Sequence, residues 1–569
     1  MTDGLGLGDA YDATLGRIKG QGGEKARLGM DALMWISHSE RPLKVDELCH
    51  ALAVRVGSLN LDGDNVPSIG TLLACCQGLF TVDKEASTVR LIHSTVQEYI
   101  RAHPELCGSA HSTIAETCLS YLNSQQVKAL SARPSSDLRS TPFLEYSSLY
   151  WGMHAKLELS DCARLLALRL FNDYNDHISI KILLKAQERY GQDINFSEPY
   201  LFSGLHCASF FGVVEIVASL VEVEGCDISQ KGIGGNTPLL WAAGNGHEGV
   251  VGVLLRRDDV DSNKPNNDGQ TPLSCAAEGG HEGVVKILLG RDDVDPDNSD
   301  GWGRTPLYYA AENGHEGVVK ILLERDDVDP NKADKGGLTP LWCAARNGDE
   351  GVVKILLGRD GVDPGKSDIN GHTPLSCAAR NGHEGIVKIL LGLDDVDPEK
   401  PDNASRTPLW HAAWDGHEGA VKILLGRNDV GPNKPDEGGR TPLGCAAKNG
   451  HEGVVEILLG RDDVDPEQPD NNGVTPFSWA AWGGREGVVK TLLRRGDVNP
   501  DRPDRFGLTP LACAAWNGHD RVVKILVGRE DVSPDRPDNL GRTPLWYASG
   551  HTRVIALLQP LASVTPGTT

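Results

Sequence analysis

Long apolar runs are missing: nowhere in the 569 residues is there the stretch of ~18–20 apolar residues that spans a bilayer. The first twenty residues lack a basic start followed by an apolar core, so no secretory leader is expected. Aromatics make up only 5%, beside 39% apolar and 24% charged residues, which is a soluble composition. Positive charge is outnumbered, 56 Lys and Arg against 79 Asp and Glu, for a formal net charge of -23. Such a chain repels nucleic acid and anionic membrane as general partners, although a local basic patch stays open. Two catalytic signatures are also missing. There is no G-x-x-x-x-G-K-[ST] loop to cradle nucleotide phosphates. There is no G-x-S-x-G elbow to present a serine nucleophile.

Thr-Pro, in contrast, recurs every 34 residues, at Thr237, Thr271, Thr305, Thr339, Thr373, Thr407, Thr441, Thr475, Thr509 and Thr543. A degenerate copy, Ser203-Gly204-Leu205-His206-Cys207-Ala208, precedes them, which makes eleven units. Within one unit, Thr339 can cap a helix and Pro340 fits its first turn, where a missing N–H costs nothing. Ala344 and Ala345 allow close helix approach, and Asn347-Gly348 ends the helix. A second helix is predicted from Glu350 to about Leu357, apolar through Val352, Val353, Ile355, Leu356 and Leu357. The stretch Arg359–Gly365 is loop chemistry. Neither helix can bury its apolar side alone, so neighbouring units must shelter each other.

The pattern G-x-T-P-L-x-x-A-A-x-x-G-H-x-x-V-V-x-x-L-L resembles the ankyrin repeat over about Phe202 to Leu558. The resemblance implies a mostly α fold: helix pairs with a hairpin, stacked into a curved solenoid that binds protein. Three departures stand out. The unit is one residue longer than the family's, in the Arg-Asp-Asp-Val-Asp-Pro loop, which predicts a longer loop there. The histidine expected after Thr-Pro-Leu survives only as His206, so its bonds between repeats do not carry over to the ten regular units. Ala548-Ser549-Gly550-His551 is two residues short, as in a worn terminal cap.

Residues 1–198 have no such period. Helices are predicted near Ala26–Ser37, Val45–Val54, Val66–Phe80, Ser94–Ala102 and Ser112–Leu122, and Ser135–Thr141 reads as linker. A strand pair is predicted in 79–83 and 88–93, so the whole suggests a winged helix. Ala32-Leu33-Met34-Trp35-Ile36, Asp46-Glu47-Leu48 and Ile92-His93-Ser94-Thr95-Val96-Gln97-Glu98-Tyr99 resemble the winged-helix segment of fungal NACHT receptor-like proteins, which also carries a name taken from GPI inositol-deacylases. Pro142–Tyr146 with Tyr150-Trp151 fits that family's helical continuation. The resemblance implies an ATPase upstream, yet only residues 9–18 look like its tail. A fragment, a misplaced gene start and a true short product all stay open. The expected layout is a NACHT-end helix (1–20), a winged-helix-like domain (21–130), a helical linker (131–198), repeats (199–562) and a disordered tail (563–569).

Candidate chemistry is thin. The predicted helix at 66–79 has no Lys or Arg, so no DNA reading is expected. His247, His281, His315, His383, His417 and His451 lack a second zinc ligand at helical spacing and read as structural. The Asp-rich loops, such as 293–297, do not match a calcium loop and read as a solvated edge. Their mutual repulsion is about 0.4 kcal/mol per pair at roughly 10 Å in water, which a stack tolerates. Cys207, Cys275, Cys343, Cys377, Cys445 and Cys513 share one slot. Stacked helices lie ~8–10 Å apart, too far for disulfides between neighbours, so free thiols in a reducing compartment are expected. No catalytic residue, cofactor site or metal site is predicted, and the cytoplasm is the expected location, with the nucleus as the alternative.

Partner recognition falls, by the family resemblance, on hairpin tips and first helices. The slot after Ala-Ala reads Gly244, Glu278, Glu312, Arg346, Arg380, Trp414, Lys448, Trp482 and Trp516. The slot before Thr supplies Arg406 and Arg440, and the tips supply Trp302 and Phe506. These ten residues, from Trp302 and Arg346 onward, form a predicted basic-aromatic stripe for an acidic or extended protein partner. The leading functional expectation is a non-enzymatic scaffold, the ligand-sensing half of a NACHT-type receptor. A stand-alone adaptor and, more weakly, an enzyme with a site in residues 1–198 are the alternatives.

Overall fold

Apolar residues at helical spacing open the chain. The computed structural model describes residues 7–130, 141–172, 174, 177–186 and 202–561. Helix α1 (Leu7–Gly20) leads into α2 (Gly23–His38), which buries Leu28, Ala32, Leu33, Trp35 and Ile36. Helix α3 (Val45–Ala53) starts where Glu47 accepts from the Lys44 N–H at 2.8 Å. Arg41 donates to both oxygens of the same buried carboxylate at 2.7 Å, which offsets its desolvation. Helix α4 (Ile69–Cys75) is shorter than predicted. Ser68 caps it by accepting from the Thr71 N–H, and positive φ at Gln77 and Gly78 ends the segment.

Strands β1 (Phe80–Asp83) and β2 (Thr88–Leu91) pair antiparallel, with Phe80 opposite Leu91. A bridge from Lys44 to Thr88 adds the stub of a third strand. Helix α5 (Ser94–Ala102) follows, joined to α1 by Tyr11–Thr95 and Tyr99–Asp12 hydrogen bonds of 2.6 Å. This is the predicted helices-plus-hairpin order. Then come α6 (Ala110–Leu122), α7 (Gln125–Lys128), α8 (Leu144–Leu157), α9 (Asp161–Phe171) and α10 (Ile178–Ala186). The core here is aromatic: Trp35, Tyr121, Phe143, Tyr146 and Trp151 are all buried. Of the linker read at Ser135–Thr141 only Thr141 is described, and the tail at 563–569 lies outside the described residues.

Eleven helix pairs follow, from Gly204–Phe211 with Val214–Val221 to Pro544–Tyr547 with Thr552–Leu558. The chain forms two compact units, Met1–Asp295 and Pro296–Thr569, with three of the pairs in the first and eight in the second. Each regular pair obeys the same chemistry. Thr339 accepts from the Trp342 N–H at 3.1 Å and Pro340 opens the helix, which ends at Asn347 with Gly348 at φ 90°. Ala344, Ala345, Val352, Val353 and Leu356 are fully buried. Each such aliphatic side chain, alanine apart, contributes about 1.5–3 kcal/mol. The last pair is worn as expected, with a first helix of only four residues.

Bonds between neighbouring units replace those the missing family histidine would make. The Gly-His-Glu histidine reaches back one unit: His281 donates to the Gly244 carbonyl at 3.1 Å and His451 to that of Trp414 at 2.9 Å. Gly246 needs its φ of 72° and its bareness, because a Cβ there would sit 2.6 Å from the His281 ring. In the family histidine's own slot, Trp342 and Trp410 donate their Nε1–H to the carbonyls of His372 and Arg440, one unit on.

The Asp-rich loops are less free than a solvated edge. Arg291 grips Asp293 at 2.8 Å and donates to the Leu255 carbonyl of the preceding unit, and Arg461 does the same with Asp463 and Leu425. From Asp300 onward a second aspartate in each repeat, unremarked in the sequence, pins the hairpin tip, and Asn266 does so one repeat earlier. Asp300 accepts from the Trp302 and Arg304 N–H groups through one oxygen, and from Arg304 Nε and the Tyr309 hydroxyl through the other. The thirteen cysteines are thiols, none of them paired in a disulfide. Among the described residues no helix is long and apolar enough to cross a membrane.

Candidate interaction site

The stripe residues lie in the second unit, on first helices and hairpin tips. Their backbone is held from behind. The carbonyls of Arg346, Trp414, Trp482 and Trp516 each accept from a histidine of the next repeat, at 3.0, 2.9, 2.9 and 3.1 Å. At Lys448 an arginine, Arg485, takes that role at 3.0 Å. Side chains that would meet a partner therefore stand on fixed supports, which lowers the ordering cost of binding.

Cations and rings alternate. Arg406 lies 5.5 Å from the Trp410 ring, and Arg440 lies 6.0 Å from Trp410 and 5.7 Å from Trp414. Trp410 and Trp414 stack at 5.1 Å. Lys448 Nζ closes the series, 5.8 Å from Trp414, 4.4 Å from Trp479 and 5.6 Å from Trp482. Each contact contributes about 0.5–2 kcal/mol, depending on how dry it is.

The charges are not equally available. Arg406 and Arg440 spend theirs on the buried carboxylates of Asp402 and Asp436, at 2.8 and 3.0 Å. Arg380 leans toward Asp415 at 3.8 Å, and exposed Arg346 lies 5.8 Å from Trp342. Among the described residues Lys448 has no carboxylate within ion-pair distance. Burial, with Arg440 beside it, pulls its ammonium below the usual lysine value. At the stripe's early end Trp302 is 54% exposed beneath the Arg304 guanidinium.

Beyond Lys448 the surface opens into a cavity of about 640 Å³ whose lining is mostly apolar. Trp482, Phe506 and Trp516 project into it at 42%, 54% and 54% exposure, and Leu540 at 75%. Trp479 and Tyr547 form its floor, with Trp516 stacked on Tyr547 at 5.2 Å. Four of the ten stripe residues thus meet in one groove: Lys448, Trp482, Phe506 and Trp516. The other six lie outside its lining. Leu540 went unread although it occupies the tip slot of Trp302 and Phe506, one repeat further on. Trp479 and Tyr547 hide in the slot that cysteine fills elsewhere.

Among the described residues, two groups of side chains have metal-ligand types. His372, Asp402 and His411 converge, with His411 3.0 Å and His372 3.4 Å from one Asp402 oxygen. Arg406 donates to that same oxygen at 2.8 Å, so a cation there would face a guanidinium. Burial pushes His411 down to about 4, as befits a neutral hydrogen-bonding ring. In the other group, Glu40, His111 and His154, the histidine nitrogens meet each other and the Tyr146 hydroxyl, and among the described residues no guanidinium bonds to them. The slot cysteines offer little nucleophilicity, since burial pushes Cys343, Cys377 and Cys513 up to about 12.

Comparison with known families agrees with this architecture. The profile described as ankyrin repeats (3 copies) matches residues 205–300, 291–368, 360–436, 416–504 and 496–565. The profile described as GPI inositol-deacylase, winged helix domain, matches residues 18–112. No curated protein matches the chain. The first profile covers well over half of the sequence, and with the capped helix pairs described above it places the chain in the ankyrin-repeat family, a family of protein-interaction modules.

Proposed function

We propose that this chain is a non-enzymatic binding scaffold whose second unit grips an extended protein segment in the groove between Lys448 and Leu540. The single observation that carries this reading is the exposure of three large aromatic side chains around one apolar hollow, in a protein with few aromatics. The segment it fits carries a bulky apolar side chain for the hollow and, a few residues away, a carboxylate for Lys448. Trp and Tyr at such a site are the usual carriers of binding energy. The winged-helix match ahead of the repeats supports a more specific role, the ligand-sensing part of a NACHT-type receptor. The Lys- and Arg-free face of α4 favours protein over DNA as the contact of that domain.

A displayed library of random peptides, panned against the purified chain, tests the proposal. Recovered sequences should pair a large apolar residue with Asp or Glu, and should lose binding to Trp482→Ala. Recovery of peptides with no acidic bias that bind Trp482→Ala as well as the parent would remove the groove from consideration.

A further inference from the structure

Glu40, His111 and His154 come from the loop after α2, the start of α6 and the end of α8, far apart in sequence and on no short ligand motif. Their ligand atoms lie within 4.8 Å of one another. The two histidines face each other through Nδ1, 2.8 Å apart, with rings stacked at 5.1 Å. His154 is fully buried, and its Nε2 is held by the Tyr146 hydroxyl at 2.9 Å. That hydroxyl also accepts from the Glu40 N–H at 3.2 Å, so one group orients the imidazole and the loop bearing the carboxylate.

We propose that these three residues form a binding site for a divalent transition-metal ion, zinc above all. Two imidazole nitrogens this close can converge on one ion at about 2.0–2.1 Å after a shift of a few tenths of an ångström. Two nitrogens and a carboxylate suit zinc better than calcium or magnesium, which demand oxygen cages. A hydroxyl on the far nitrogen of a ligating histidine is the outer-shell support such sites use. Glu40 is exposed, so a fourth position stays open to water. The local charge agrees: Glu40 and Glu158 both face His111, with Arg101 the opposing cation. The other nearby cations are engaged, Arg41 by Glu47 and Lys44 by Glu145. His38, edge-on to His111 at 5.5 Å, has its Nδ1 taken by the Met34 carbonyl and the Ser37 hydroxyl. A bound ion would clamp the winged helix to α8, and it would stabilise the fold in proportion to its affinity.

The test is a calorimetric titration of the full-length, metal-stripped protein with zinc chloride, paired with thermal melts. One equivalent should bind and raise the melting temperature. Glu40→Gln, a surface change that leaves the fold intact, should weaken binding about tenfold or more, and His111→Ala should abolish it. The double variant His372→Ala/His411→Ala should bind as the parent does. Absence of binding by the parent overturns the proposal. So does undiminished binding by Glu40→Gln, or loss of the equivalent in the His372/His411 variant alone.

Discussion

Trp35 and Trp151, in the N-terminal helices, are 2% and 0% exposed. Trp35 packs edge-on against Phe143 at 5.5 Å, and Trp151 against Phe211 at 5.2 Å. Trp302, Trp482, Trp516 and Trp546, in the repeats, are 54%, 42%, 54% and 56% exposed. The same residue type ends in opposite environments because the two regions solve burial differently. The N-terminal segment has few repeating contacts and fills an irregular interior with rings. The repeats fill theirs with alanine pairs and Val/Ile/Leu rows that are fully buried in unit after unit. That lattice takes tryptophan only at particular first-helix positions, as at buried Trp241, Trp342 and Trp410, and in the second unit several others are left at the surface.

The sharpest way to break this contrast is to truncate one ring in each region. Trp35→Ala should lose about 3–5 kcal/mol in chemical denaturation, the usual result of emptying an aromatic site in a core. A loss below about 1 kcal/mol would mean that the N-terminal interior is not built as described.

Next comes pH. His206 is the one family histidine retained, fully buried, with Nδ1 taken by Ser203 and Nε2 donating to the Gln230 carbonyl at 3.0 Å. Burial holds it down to about 4. Its neutral form is the one that fits. The stability it contributes is therefore complete above its unfolded value near 6.5, and it is lost as pH falls from there toward 4. The loss amounts to about 3 kcal/mol. The stability gap between the parent and His206→Gln should narrow over that window. A gap that widens on acidification would reverse the assignment.

A smaller effect sits in the regular units. Thr475 accepts from the Ser478 N–H at 3.2 Å, and Thr475→Ala should cost about 1 kcal/mol in the same denaturation assay. Equal costs at Thr441 and Thr509 would show that the units are energetically interchangeable, as the N-terminal helices are not.

Much of the fold was legible because its causes are local. Thr-Pro caps, alanine pairs and valine rows each announce a helix end or a buried face, and they recur on a fixed step. The α4 boundaries were misjudged because Val66, Pro67 and Leu79 continue the apolar pattern past the Ser68 cap and the positive-φ turn. The hairpin aspartates escaped notice for another reason. Asp300 and Asp293 look alike in a loop, and only folding shows that one is buried under Arg304 and Tyr309 while the other pairs at the surface. The stripe was half legible: Trp482 and Trp516 sit in a slot that the family pattern exposes and reach the groove, but Arg406 and Arg440 lie outside it with their charges spent on aspartates four residues back. The His111–His154 pair is a product of tertiary packing alone.

On the proposed reading, surface tryptophans in the repeats serve binding and contribute little to folding. A fluorescence-anisotropy titration of a library-selected peptide against the parent and against Trp516→Ala tests it directly, with denaturation midpoints measured on the same samples. The midpoint should stay unchanged within about 0.5 kcal/mol while affinity falls about tenfold or more. Full affinity, or a fold weakened as much as by Trp35→Ala, would contradict it.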